Sequence, residues 1–367
     1  MIEFFGVKRQ YQNLRDEILD ATDAVYLNGQ VLDGEYTTRF EASIARRCNR
    51  KHAISINSCT TGLMFALQAR EPKPVHMGAL IPAISFVATL NVTQMLDIYT
   101  ALCDVDMAGL MDLQSIYEPI RDTIDTVMYV NLFGNTVDYD KFRLSTEFFG
   151  DDDMYVIEDA AQSFGASYKG IPSGKMGTVS VLSFDPTKNL NNYGSGGMIL
   201  TDDDYLNGMF RDFRDNGKNS GHEVAGINSK MSESDCAQML VKLKYFDAWQ
   251  KRRTQIADFY IKTFGDYVDI LPITEGTTHA WSKFVFRTMN RNGLRMFLEN
   301  RGVSTKVHYE RALYDEIVGR HLLDPVMGTQ WEAYKFTHES VSLPIYPEMT
   351  DAEVEHVAQS VKAFYTL

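Results

Sequence analysis

Short apolar runs alternate along the chain with longer segments whose apolar positions recur at helical spacing. Seven runs rich in Val, Ile, Tyr and Phe have the length of strands: HAISIN at 52–57, GALIPA at 78–83, YTALCDVD at 99–106, TVMYVNLF at 126–133, MYVIEDA at 154–160, TVSVLSF at 178–184 and GGMILT at 196–201. Strand and helix signals in this alternation predict an α/β unit built on a mostly parallel seven-stranded sheet. The segment from Ser58 to Arg70 opens on a capping-type Ser and carries Leu63, Phe65, Ala66, Leu67 and Ala69, the signature of a buried helix. From about Ser232 the pattern shifts to long helical stretches with apolar residues on one face and charges on the other. A boundary is therefore expected near 245–250, dividing a large unit, 1–247, from a smaller α+β unit, 248–367. The smaller one has a strand signal at WSKFVFRT and a final amphipathic helix from Asp351.

Composition narrows the partners. The chain has 367 residues, long enough for a large unit and a companion, and its 44% hydrophobic content supplies the apolar surface both need. Thirty-six basic against 49 acidic side chains give a net charge of −13, which repels phosphate backbones and makes nucleic acid an unexpected partner. An anionic substrate must then be met by local donors such as helix N-termini or single Lys and Arg residues. The four cysteines, Cys48, Cys59, Cys103 and Cys236, form no C-x-x-C pair and read as buried reduced thiols, and no metal site is expected. The start, MIEFFGVKRQYQNL, lacks a sustained apolar core, and Pro82 and several hydroxyls break the stretch from Ala79 to Val92. No membrane association is expected, and the protein is expected to be cytoplasmic.

Ligands of open α/β sheets bind beyond the carboxyl ends of the strands, and three such ends carry polar clusters. Asn57-Ser58-Cys59-Thr60-Thr61 turns from strand into helix, where free N–H groups and hydroxyls can hold a phosphate or Ser58 can simply cap the helix. Glu158-Asp159-Ala160-Ala161-Gln162-Ser163 places two carboxylates after an apolar strand. A carboxylate there either holds a heteroaromatic nitrogen protonated, since an anion raises the pKa of a nearby cationic acid, or caps a helix. Ser183-Phe184-Asp185-Pro186-Thr187-Lys188-Asn189 leads into the Gly-rich turn Asn191–Gly197. A lone Lys is ordinarily a solvated surface residue. Lys188, however, follows a buried-looking strand, and a partly desolvated amine can form a Schiff base with an aldehyde. A phosphate cradle, a carboxylate for a ring nitrogen and a Schiff-base lysine together are what pyridoxal phosphate requires.

The same residues carry a resemblance. The chain resembles the DegT/DnrJ/StrS-type family of nucleotide-sugar aminotransferases from end to end, in FFGVKRQYQNLRDEI, NGQVLDGEYTTRFE, SINSCTTGLMFAL, PAISFVATLNV, NLFGNTVDYD, VIEDAAQSFGASYKG, SFDPTKNLNNYGSGGMILTDD, GINSKMSE and VSLPIYPEMTDAEVE. EDAAQ followed by SFxPTKN is the most specific part. The resemblance implies the aspartate-aminotransferase-like fold, fold type I, with a large cofactor domain, a small C-terminal domain and active sites at a homodimer interface. By position it implies Lys188 as the Schiff-base lysine and Asp159 as the partner of the pyridinium nitrogen. Gln162 falls on the cofactor's phenolic oxygen, Ser183, Thr60 and Thr61 on its phosphate, and Phe86 on its ring face. Asn228, in GINSK, matches a residue that reaches the phosphate held by the other subunit. Lys230 stands where many members have Arg, and His308-Tyr309 lies in a segment that often lines the substrate pocket; the other reading of that pair is a structural His beside a core Tyr. Cys59 stands where the family usually has Gly, and since a side chain there disfavours positive φ the phosphate turn is expected to be slightly reshaped.

The function implied is transfer of an amino group, with glutamate as the expected donor, to a keto group of a nucleotide-linked deoxy sugar. Carbon 3 and carbon 4 both stay open, with GINSK leaning to carbon 3. Two other readings compete: a sugar dehydratase of the same fold, in which His replaces the lysine, and an idle regulatory or binding protein that kept the fold.

Overall fold

The computed structural model of the chain describes residues 1–70, 78–115, 123–147, 154–316 and 331–366. Seven strands form the central sheet: β1 (His52–Ile56), β2 (Gly78–Pro82), β3 (Tyr99–Cys103), β4 (Ile124–Val130), β5 (Tyr155–Asp159), β6 (Val179–Ser183) and β7 (Gly197–Thr201). Their order is β1-β7-β6-β5-β4-β2-β3. β7 runs antiparallel to both of its neighbours, and every other pairing is parallel. Each of the seven expected runs overlaps a strand, six containing it whole and β4 starting two residues before its run. The direction of β7 goes with its connection: residues 184–196 between β6 and β7 hold no helix, and a parallel return usually crosses over through one.

Side chains alternate across this sheet. Leu80, Val127 and Tyr129 join the core on one face, while Ala79, Ile81 and Met128 join the core on the other. Burial on both faces explains why the strands read as nearly continuous apolar runs. The helix after β1, α3 (Cys59–Gln68), is preceded by two helices for which the sequence reading made no prediction, α1 (Val7–Asn28) and α2 (Glu35–Arg47). Ser58 caps α3, its Oγ accepting from Thr61 N at 3.2 Å. Beyond β2 the chain enters α4 (Ala88–Met95).

A second, antiparallel sheet joins β8 (Asp269–Ile270), β9 (Phe284–Arg287) and β10 (Ser340–Leu343). Its core contains Phe284, Phe286, Val341 and Leu343 packed against Tyr260 and Phe264 before it and Val357 and Val361 of the last helix, Asp351–Thr366. The N-terminus joins this core as well. Ile2 is buried there and bridges to Val303. Among the described residues no helix is long and apolar enough to cross a membrane.

Candidate active site

The parallel strands deliver their carboxyl ends to one edge of the sheet, and a cavity of about 370 Å³ opens there. Ser58, Cys59 and Thr60 line it from the start of α3, Ser85, Phe86 and Thr89 from the turn after β2, Asp159, Ala161 and Gln162 from the end of β5, and Ser183, Asp185, Thr187 and Lys188 from the end of β6. Lys283, Lys306, His308 and Tyr309 close it from the C-terminal part of the chain.

Strand geometry separates the two carboxylates that the sequence left equivalent. Successive residues of β5 face opposite sides of the sheet. Glu158 points away from the cavity and accepts from Asn131 Nδ2 at 2.9 Å, Ser173 Oγ at 2.8 Å, Ser180 Oγ at 2.7 Å and Met176 N at 2.9 Å, with Gly174 N on both oxygens. It is fully satisfied. Asp159 points into the cavity, where Oδ1 accepts from Ala161 N at 3.0 Å and, among the described residues, Oδ2 has only the Thr89 hydroxyl at 3.4 Å. Burial raises its pKa, with the Ala161 amide and the Lys188 charge opposing. A buried carboxylate that no cation bonds can receive a protonated ring nitrogen.

Lys188 ends a tight turn. Its N–H donates to Asp185 O at 3.0 Å, and Asp185 Oδ1 accepts from the Thr187 N–H and hydroxyl at 3.3 and 3.2 Å. Beyond it, Asn189 Nδ2 donates to Ala280 O at 2.8 Å, and Asn192 N to Phe184 O at 2.7 Å, so the loop carrying the lysine is tied at both ends. The amine itself has no hydrogen-bond or ion-pair partner among the described residues.

At the opposite wall the N-terminus of α3 presents free N–H groups, the arrangement that binds phosphate. Cys59 is the first residue of that helix and does not adopt positive φ, so the turn is not strained by its side chain. The close approach falls on Gly197 instead, where a Cβ would lie 2.7 Å from Cys59 N and Ser58 C. Burial also raises the Cys59 thiol well above its usual range, which keeps it protonated.

Gln162 reaches the C-terminal part of the chain. Its Nε2 donates to the Tyr309 hydroxyl at 2.9 Å, and its Oε1 accepts from Phe133 N at 3.3 Å. Burial raises the Tyr309 pKa, so the phenol stays protonated. The exposed Phe86 ring lies 6.3 Å from that of Tyr309. His308 bonds Ser342 Oγ through Nδ1 at 2.7 Å, and burial, reinforced by the charges of Lys283, Lys306 and Lys188, pushes its imidazole down to about 2.

Thr60, Phe86, Asp159, Gln162, Ser183, Lys188, His308 and Tyr309 thus meet at one cavity. Thr61, Asn228 and Lys230 do not line it. The Thr61 hydroxyl is bonded to Ser58 Oγ at 2.9 Å, Lys230 is ion-paired with Asp215, and Asn228 is exposed. Lys283 and Lys306 escaped the sequence reading. The available signal was a charge inside the apolar run WSKFVFRT and another two residues before His308. Among the described residues, no three or more His, Cys, Asp or Glu side chains are grouped to hold a metal ion.

A mostly parallel α/β sheet with a lysine unpaired among the described residues, a buried carboxylate and a helix N-terminus at one edge has the groups that a phosphorylated aldehyde would need. The model of the DegT/DnrJ/EryC1/StrS aminotransferase family matches residues 12–362, and the chain belongs to that family. It is 30% identical to a pleiotropic regulatory protein of Geobacillus stearothermophilus, over 99% of this chain and 98% of that one. It is 29% identical to the dTDP-3-amino-3,4,6-trideoxy-alpha-D-glucose transaminase of Streptomyces venezuelae, over 98% and 95%. Among solved structures, a DegT DnrJ EryC1 StrS aminotransferase from Brucella abortus superposes with a TM-score of 0.93 at 25% identity and full coverage of both chains.

Proposed function

We propose that the chain is a pyridoxal-phosphate-dependent aminotransferase that moves an amino group from glutamate to a keto group of a nucleotide-linked sugar. The observation that carries this reading is the cavity where the free amine of Lys188 and the buried carboxylate of Asp159 meet the N-terminus of α3. Pyridoxal phosphate, when bound, supplies an aldehyde that takes up the amine and a ring that draws off the electron pair left at the substrate carbon. Asp159 holds a proton on the ring nitrogen, and Gln162 orients the ring through its phenolic oxygen. Ser183, Thr60 and the first amides of α3 hold the phosphate, while Phe86 covers a ring face. Lys188 Nζ takes the proton from the substrate carbon and returns it. The neutral His308 and Tyr309 orient the sugar without adding charge. Asn228, exposed on this chain, serves the phosphate of a second copy in a homodimer with shared sites.

The sugar class rests on the transaminases among the relatives, which their names assign to dTDP- and UDP-linked sugars. A regulatory role has one support, the names of two relatives that are 30% identical, a pleiotropic regulatory protein and a sensory transduction protein. An idle homologue has no need of a free lysine opposite a buried carboxylate. The dehydratase reading needs His where Lys188 stands. The test is a panel of nucleotide-linked keto sugars with glutamate, the new amine being located by NMR. Cofactor-loaded protein that aminates none of them overturns the sugar reading.

A further inference from the structure

One group in the cavity has no role in that chemistry. Lys283 stands at the start of β9, in the wall contributed by the second unit, and is only 5% exposed. A desolvated amine is costly unless paired, and pairing here is nearly absent: among the described residues the one hydrogen bond of Lys283 Nζ runs to Gln162 Oε1 at 3.4 Å. Its charged neighbours are mostly of its own sign. Lys188, Arg253 and Lys306 oppose its charge, and Asp185 favours it less strongly. Asp185 has spent Oδ1 on the Thr187 turn, and Asp159 faces the ring nitrogen in the proposed mechanism. Lys306 stands exposed at the rim of the same cavity, its amine over the Phe5 and Phe4 rings at 4.7 and 5.5 Å from their centroids.

We propose that Lys283, with Lys306 at the rim, forms a carboxylate-binding subsite beside Gln162 that receives a carboxylate of a substrate. This rests on the aminotransferase reading for the word substrate, but not on the identity of the sugar. A single buried amine with one weak neighbour suits a small singly charged group. A nucleotide diphosphate is larger, carries more charge and needs several donors. The carboxylate comes either from the amino donor or from the sugar, and two unreactive probes separate these sources. Glutarate has the donor's two carboxylates and no amine. UDP-glucuronate differs from UDP-glucose only in its sugar carboxylate.

Binding of each probe to the cofactor-loaded protein is measured by calorimetry for wild type, Lys283→Met and Lys306→Met. Met keeps the length of Lys and needs no partner, so Lys283→Met is expected to melt at or above the wild-type temperature. It is expected to weaken one carboxylate probe about 10- to 100-fold, as loss of a charge-assisted hydrogen bond does. Lys306→Met, at the exposed rim, is expected to weaken it less. A loss with glutarate assigns the subsite to the donor, and a loss with UDP-glucuronate that UDP-glucose does not share assigns it to the sugar. Unchanged binding of both probes overturns the proposal, and so does an equal loss with UDP-glucose, which would point to the diphosphate. If Lys283→Met does not fold, Lys283→Gln takes its place under the same criteria. Wild type that binds glutarate through Lys283 and aminates no sugar would retain the subsite and overturn the sugar reading alone.

Discussion

Glu158 and Asp159 are neighbours in sequence and of the same charge, yet their substitutions should have opposite effects. In Glu158→Gln one carboxylate oxygen becomes an amide nitrogen inside a ring of donors made by Asn131, Ser173, Gly174, Met176 and Ser180. Losing two hydrogen bonds to a buried charged group, at about 1.5–3 kcal/mol each, costs about 3–5 kcal/mol. With an unfolding entropy of about 2.1 cal/mol/K per residue, a chain of 367 residues changes stability by roughly 0.8 kcal/mol per degree, so melting should fall by about 4–6 °C. Asp159→Asn should behave otherwise. Burial raises the Asp159 carboxyl above its ordinary 3.8, so as pH rises through that value the unfolded chain releases its proton first. Stability therefore falls until the pH passes the folded value, and the Asn variant escapes this loss. Cofactor-free Asp159→Asn should melt at or above wild type at pH 7, while turnover of the loaded enzyme falls by about 100-fold or more. Scanning calorimetry of the cofactor-free proteins and a transamination assay provide the two readings. A Glu158→Gln protein as stable as wild type, or an Asp159→Asn enzyme with near-normal turnover, would refute the division of roles along β5.

Other substitutions test separate parts of the site. Lys188→Ala should abolish the visible absorbance of the cofactor-loaded protein and its fixation by borohydride together, and fixation at another lysine would displace Lys188 from its role. Asn228→Ala should weaken cofactor retention while each subunit stays folded, and a fully active monomer in dilute solution would oppose the shared-site picture. Lys242 donates to Asn191 O at 2.6 Å, and burial lowers its pKa to about 7. Between pH 7 and the ordinary 10.5 the unfolded chain binds the extra proton, so stability should rise with pH there, and Lys242→Met should flatten the melting profile over that window. Cys59→Gly should lower the melting temperature by about 1 °C, because a helical position loses conformational restriction and gains no relief of strain; a rise would show that the helix start prefers glycine after all.

The strands were legible because burial on both faces leaves unbroken apolar runs, and the polar clusters at their ends mark the site edge. Lys188, Asp159, Gln162 and Ser183 all belong to such ends, and all reach the cavity. Lys283 and Lys306 come from a strand start and a loop of the second unit, where only packing between distant segments decides what a side chain faces. No local pattern announces that. Helices α1 and α2 were missed for a related reason: their polar faces outweigh their apolar stripes, and α1 brings Leu14 and Ile18, with the partly buried Tyr11 and Ala21, to the small core it shares with Val241 of the helix Glu233–Leu243.

The phosphate turn shows how a resemblance can misplace a physical demand. A glycine is required where φ is positive or where another backbone comes too close, and a motif does not say which. At Cys59 neither holds, since the residue opens α3 with helical geometry. The demand for close approach lies across the sheet, at the first residue of β7, where Gly197 lets the backbone of Ser58 and Cys59 lie against it. The antiparallel direction of β7 brings its start, and so Gly197, to the same edge as the carboxyl ends of the parallel strands. The helix N-terminus can therefore sit over the cavity with a side chain at Cys59. What position 59 can carry depends on the strand facing it, and a substitution at Gly197 should disturb the phosphate wall more than any at Cys59.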